Sequence, residues 1–163
     1  MGRPSDLLEI TYVDRTVYWR FLYAYSRPAA ERARDAAHCH PKGIGRLLGM
    51  QFDTVEEGTV TFSLTTRPEF VNVSGQVHGG IYATLLDSVM GCAVHSTLEP
   101  GIGYTTLEMK INLTRAVSAE RAKLVATGRT LHVGGRTATA EGEIRDEMGR
   151  LVAHGTTTCL ILR

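Results

Sequence analysis

His78-Gly79-Gly80-Ile81-Tyr82-Ala83-Thr84-Leu85-Leu86-Asp87-Ser88-Val89-Met90-Gly91-Cys92-Ala93-Val94 decides how this chain reads. From Gly79 to Val94 the only ionisable acid or base of ordinary strength is Asp87. Ile81, Ala83, Leu85, Leu86, Val89, Met90, Ala93 and Val94 fall on nearly every side of a helix. A helix apolar all round is a buried helix, and the pattern predicts one from about His78 to Thr97. Asp is among the residues least often buried without a partner. Asp87 therefore faces a polar cleft or belongs to a hydrogen-bonded network. In the first case it is a candidate general base or nucleophile. In the second it is structural, bonded to backbone or to Ser88 and Thr84.

The start of the helix adds a second chemical feature. The first N–H groups of a helix lack intrahelical acceptors and lie at the positive end of its dipole. Glycine there lets a carbonyl approach bare backbone. His78-Gly79-Gly80 thus has the makings of an oxyanion hole, although His-Gly-Gly strings are also common turns before helices. Asp87 lies about two turns beyond Gly80, roughly 10 Å along the axis, too far for one carbonyl to touch both. Two antiparallel copies of the helix about a two-fold axis would set Gly79 of one beside Asp87 of the other.

Outward from this helix the chain reads as strands. Met50–Val55 and Thr59–Leu64 form a predicted hairpin across Glu56-Glu57-Gly58. A loop with Pro68, Asn72 and Gly75 leads into the helix. Four β-rich segments follow, at 104–114, 121–132, 135–145 and 151–162, with Val133-Gly134-Gly135 and Asp146-Glu147-Met148-Gly149 as turns. Thr137 to Glu141 do not alternate cleanly. One long helix against a mostly antiparallel sheet gives an α+β domain, and the face left bare calls for a partner copy.

At 163 residues, 43% apolar and 21% charged, the chain is of ordinary soluble composition. A net charge of +1 suggests neither nucleic acid nor an anionic membrane as partner. No transmembrane segment or secretory signal is expected, since the apolar run Ile81–Val94 is short and holds Asp87. Cys39, Cys92 and Cys159 are far apart and odd in number, which fits a reducing, cytoplasmic location. Residues 1–43 stand apart as a helical arm preceding a domain over 44–163. Ile10, Val13, Val17, Phe21 and Ala24 follow helical spacing, and a second helix runs from Pro28 to about His38. The arm is expected to pack on its own or a neighbouring subunit, with a lid or membrane-surface helix as alternatives.

The order and spacing Asn72-x-x-Gly75-x-x-His78-Gly79-Gly80-x6-Asp87-Ser88 resembles the hotdog-fold thioesterase superfamily, in its PaaI-type branch. Ile44–Gly49, Gly103–Asn112 and Gly149–Leu160 share the likeness; residues 1–43 lie outside it. The resemblance implies an antiparallel sheet wrapped around one long central helix, acyl-CoA as substrate, and a homodimer or a homotetramer built as a dimer of dimers. It implies Asp87 as general base or nucleophile and the Gly79 N–H as oxyanion donor. Asn72 and His78 would position the substrate carbonyl or water, and Thr106 would orient the attacking water from the subunit that supplies Asp87.

These roles suit thioester hydrolysis, which needs an oxyanion donor and an activated oxygen but neither metal nor cofactor beyond the coenzyme A of the substrate. Gly80, Tyr82, Leu86, Met90 and Phe70 are candidates to contact the acyl group. His132, Gly134, Gly135 and Arg136 form a turn suited to coenzyme A phosphates, joined by Arg115. Arg115-Ala116 departs from the Arg-Pro common in the family, and Arg136 alternatively is a surface arginine. His38-Cys39-His40 is a poor metal site, because three consecutive ligands do not readily meet one tetrahedral ion. Cys92 and Cys159 read as packing thiols, and His95 and His154 as structural. A hotdog enoyl-CoA hydratase or dehydratase, using a histidine with a carboxylate, and a non-catalytic acyl-CoA sensor are the competing functions.

Overall fold

The computed structural model describes residues 43–99 and 102–162. The expected helices of the arm and His38-Cys39-His40 lie outside these residues. A short helix α1 (Ile44–Leu48) leads into the hairpin β1 (Gln51–Glu56) and β2 (Thr59–Thr65). A single 3-10 turn, Pro68–Phe70, precedes the long helix α2 (Gly79–His95). Strands β3 (Gly103–Leu113), β4 (Lys123–Val133), β5 (Thr137–Asp146) and β6 (Leu151–Leu162) complete one six-stranded sheet. All pairings are antiparallel, in the order β1-β2-β4-β5-β6-β3. The sheet curls around α2, which touches β2, β4, β5, β6 and β3. This is the hotdog architecture expected.

Thr137 to Glu141 do not alternate cleanly in sequence, yet β5 alternates strictly in burial. Its inward residues are Ala138, Ala140, Gly142 and Ile144, small where α2 presses closest. A Cβ on Gly142 would stand 2.8 Å from Met90 Cγ. On β4, a Cβ at Gly128 would lie 2.5 Å from the carbonyl carbon of Val89 and 2.8 Å from the Met90 nitrogen. The helix backbone rests directly on the sheet there, with no side chain between them. Small inward residues give little hydropathy contrast with threonine, which is why the period was faint in sequence.

The buried face of α2 carries Tyr82, Leu85, Leu86, Val89, Met90, Ala93 and Val94. Leu85, Leu86, Val89 and Met90 are wholly buried against the inward residues of the strands. Each such side chain contributes roughly 1.5–3 kcal/mol relative to exposure. The other face, with Gly80, Ala83, Thr84, Asp87, Ser88 and Cys92, is exposed or half-buried. Of the two sheet edges, β1 is short and β3 is long, bulged between Thr106 and Glu108. The bulge turns both Thr106 and Met109 toward the helix. Leu107, at the bulge, is 55% exposed.

Candidate active site

Helix α2 and strand β3 run antiparallel and touch along their length. At one end the Leu113 side chain covers Gly79, where an added Cβ would lie 2.8 Å from Leu113 Cδ1. Further along, Thr106 Oγ1 donates to Asp87 Oδ1 at 2.8 Å, both residues half-buried. The hydroxyls of Thr84 and Ser88 donate instead to helix carbonyls, of Gly80 and Thr84 respectively. Asp87 is therefore not tied down by its own helix, and its second oxygen Oδ2 remains for a ligand or water.

The start of α2 is capped by His78, whose Nδ1 accepts from the Gly80 N–H at 2.9 Å. That bond occupies the Gly80 donor, so the expected contact of Gly80 with substrate is not available through its N–H. The Gly79 N–H, one residue earlier, meets no acceptor among the described residues. His78 is exposed. With Nδ1 accepting, the neutral ring carries its proton on Nε2, which can donate outward. Asn72 Oδ1 accepts from the N–H groups of Ser74 and Gln76, at 2.8 and 3.1 Å. Its carboxamide oxygen fastens the loop leading to His78, and only its NH2 is left for another partner.

Four residues expected to contact the acyl group lie in the core of the protomer. Leu86 and Met90 are fully buried against β5, and Tyr82 and Phe70 are nearly so. The apolar spacing that suggested a pocket lining is the face by which α2 packs on its own sheet. Burial pushes the Tyr82 hydroxyl upward from its usual pKa, opposed by the nearby Val117 backbone, although the hydroxyl makes no hydrogen bond among the described residues. Arg67 lies over the Phe70 ring, 4.6 Å from its centroid.

The expected coenzyme A residues do not meet within one chain. His132, Gly134, Gly135 and Arg136 form the turn between β4 and β5, at the sheet end where Thr105 pairs with Leu160. Arg115 follows Leu113 at the opposite end, its N–H bonded to Val152. The two sites are a strand length apart, roughly 30 Å or more at about 3.3 Å per residue. Inside the turn, the Gly134 N–H is bonded to Thr137 at 2.8 Å, whereas Arg136 and Gly135 are exposed.

A feature missed in sequence stands one helical turn beyond Asp87. The Tyr104 ring lies on Gly91, where an added Cβ would be 2.5 Å from its hydroxyl and 2.7 Å from its ring. Its ring also lies tilted against His95, 5.2 Å between centroids, and its hydroxyl meets the Cys92 thiol. The available signal was a glycine four residues after Asp87 and an aromatic two before Thr106. Burial pushes the Cys92 thiol up to about 12, with Tyr104 opposing and Asp87 adding to the rise. Burial likewise raises Cys159. Neither is a nucleophile. Among the described residues no group of His, Cys, Asp and Glu could hold a metal ion, and no helix is long and apolar enough to cross a membrane.

The family model for the Thioesterase superfamily matches residues 74–153, from the loop before α2 into β6. A solved structure of a conserved protein from Pseudomonas aeruginosa is 32% identical, with a TM-score of 0.71, over 80% of this chain and 99% of that one. A protein of Streptococcus mutans solved bound to acetyl CoA is 26% identical, with a TM-score of 0.64, covering 69% of this chain and 87% of that one. The 1,4-dihydroxy-2-naphthoyl-CoA hydrolase of Escherichia coli is 27% identical over 74% of this chain and 89% of its own. The chain belongs to the thioesterase superfamily. By class it is a thioester hydrolase.

Proposed function

We propose that the protein is a cytoplasmic acyl-CoA thioesterase that hydrolyses a medium- or long-chain or aryl acyl-CoA to the free acid and coenzyme A, without metal or cofactor. The observation that carries this reading is Asp87, held by Thr106 at 2.8 Å on the less buried face of a helix whose first N–H, at Gly79, meets no acceptor among the described residues. The thioester oxygen accepts from Gly79, where helix dipole and bare amide stabilise the negative charge of the tetrahedral intermediate. Asp87 takes the proton from an attacking water, or attacks the carbonyl itself. Collapse of the intermediate expels the coenzyme A thiolate, which takes the proton Asp87 removed from water. On the nucleophilic route the thiolate is protonated by solvent, and water then hydrolyses the acyl-Asp87 anhydride to the free acid. Thr106 fixes the carboxylate, and the Nε2–H of His78 and the NH2 of Asn72, whose other polar atoms accept from backbone N–H groups, are the donors that position the carbonyl or water. Arg136 and Arg115 serve coenzyme A phosphates from different subunits.

Gly79 and Asp87 of one chain are about 12 Å apart along α2, so the reading requires a second copy. The long edge of β3, unpaired among the described residues, supplies the means, since such an edge is a template for another strand. In the protomer Gly79 lies against Leu113 and Asp87 against Thr106. A two-fold axis within a residue of Met109 pairs β3 with its copy and brings each Gly79 beside the other chain's Asp87. That register also sets Glu108 near Lys110 of the copy, an opposite-charge cross-strand pair. Two such dimers would form the tetramer. The acetyl CoA bound to the Streptococcus mutans relative and the naphthoyl-CoA hydrolase name of the Escherichia coli one support a coenzyme A thioester. A hydratase would use a histidine with the carboxylate for proton transfer at carbon; His78 is instead committed to capping α2, its Nδ1 accepting from the Gly80 N–H.

Complementation tests the shared site. Gly79→Pro removes the donor at the first helical position, which suits proline's backbone, and His78 already has the extended conformation (φ −62, ψ 137) that proline demands of its predecessor. The added ring must displace the tip of the Leu113 side chain, 2.8 Å from where its Cβ would stand. Gly79→Pro and Asp87→Asn are each expected to be inactive. Unfolded together and refolded, they regain about a quarter of wild-type activity, because half the dimers are mixed and each of these holds one intact site. No recovery in folded, mixed dimers would place both groups' action within one chain.

A further inference from the structure

We infer that the stretch Ile10–Ala24 of the N-terminal arm docks, within its own chain, on an exposed apolar corner formed by α1 and the loop before α2. The inference goes beyond the thioesterase reading and does not depend on it. Ile44 and Leu47, on the outer side of α1, are 53% and 67% exposed. Gly45 and Leu48, on the inner side, are buried. In the loop, Val71 is 47% exposed and Val73 wholly so. Contacts tie the two pairs together. The Arg67 guanidinium donates to the Leu47 carbonyl at 2.8 Å and lies 4.6 Å over the ring of Phe70, the residue before Val71. The His78 N–H donates to the Phe70 carbonyl at 2.7 Å, so the corner borders the His78 and Asn72 donors.

Exposed bulky apolar side chains gathered at one corner mark a surface that something covers. Pairing of β3 with a copy would not cover them through the strand itself, since none of the four lies on β3. Nearest along the chain is the arm. Residue 42 directly precedes Gly43, whose carbonyl accepts from the Leu47 N–H at 3.0 Å. The arm's sequence carries a matching face, because Ile10, Val13, Val17, Phe21 and Ala24 recur at the three- and four-residue steps of a single helical stripe. The second expected helix, Pro28 to His38, leads toward Gly43, and short connections set successive helices antiparallel. The first helix then returns its Ile10–Val17 end to α1. An apolar helix stripe seated on a few apolar anchors is a recurring mode of recognition. The short tether to Gly43 keeps the arm's effective concentration at the corner high.

Photocrosslinking of the full-length protein tests the contact, with benzoylphenylalanine placed at position 47, 73 or 148 in turn. Met148 is the control, 73% exposed on the turn between β5 and β6. Positions 47 and 73 should capture a peptide from residues 10–24 in a product of monomer size on a denaturing gel, and position 148 should not. Capture in a product of dimer size would give the corner to a partner's arm and overturn docking within the chain. No capture of residues 10–24 from either position would also overturn it. Hydrogen exchange provides a second reading that needs no crosslink. Leu47→Asp combined with Val73→Asp should speed amide exchange over residues 10–24 by about fivefold or more, whereas Met148→Asp should leave it at the wild-type rate. Exchange unchanged by the double substitution in a folded protein would refute the inference.

Discussion

Replacing Gly128 with alanine tests whether the site is built on direct contact between helix and sheet. The new methyl carbon would stand 2.5 Å from the Val89 carbonyl carbon and 2.8 Å from the Met90 nitrogen. Carbon atoms settle at about 3.5–4.0 Å, so α2 must retreat by on the order of 1 Å. Its partner there is backbone, which cannot rotate aside. Overpacking of this kind costs about 1–3 kcal/mol, a fall in Tm of roughly 2–12 °C for a domain of this size. Activity should suffer more. The 2.8 Å bond from Thr106 to Asp87 spans helix and edge strand, and it is stretched or re-aimed by the same retreat. A misplacement near 1 Å can cost about 10²-fold in rate. Thermal denaturation and steady-state thiol release on Gly128→Ala read both effects. Gly103→Ala is the control, since its methyl would meet only Leu162 at 3.8 Å. Wild-type Tm and kcat in Gly128→Ala would refute the direct seating of α2 on β4.

Two further predictions concern the carboxylate and the buried histidine. Thr106→Val keeps the shape but removes the donor to Asp87, so kcat should fall roughly 10²-fold with KM and Tm little changed; equal losses in kcat and fold stability would make Thr106 structural. Burial holds the His95 imidazole below its ordinary 6.5, against an opposing bond to the Ile102 backbone. As pH falls through 6.5 the unfolded chain gains a proton that folded His95 does not, so stability declines on acidification from there. Melting curves between pH 7.5 and 5.5 should show a smaller decline for His95→Gln than for wild type. Matching slopes would assign the decline elsewhere. Asp146 is desolvated but held below its usual value by bonds from Arg150 and Met148, and Glu143 is lowered by Arg145. The stability each contributes is present across this pH range and is lost only as pH falls through and below the ordinary carboxylate range.

The central helix and its sheet were legible because their signals are local. An apolar stretch broken only by Asp87 admits one placement, and Gly58, Gly134 and Gly149 mark turns that the strands respect. The carboxylate and its Thr106 partner were reached by resemblance, and spacing alone left Asp87 open between a cleft and a structural bond. Which apolar residues face substrate was not legible. Leu86 and Met90 have the composition of a pocket lining, but only the fold shows that Gly142 brings β5 up against them. Arg115 and Arg136 looked like one phosphate site because sequence carries no strand register, and the register puts them at opposite ends of the sheet. Tyr104 escaped notice because its meaning depends on Gly91, a contact between two elements that neither announces by itself.

The most direct test of the account is thiol release from a panel of acyl- and aryl-CoAs by wild type and Asp87→Asn, followed with a thiol-reactive dye. Asparagine keeps an oxygen for the Thr106 hydroxyl, so the variant should fold as wild type does while losing the base or nucleophile. The account predicts release by wild type and none above background from the folded variant. Equal release by both proteins, or none by either with any thioester, would contradict it.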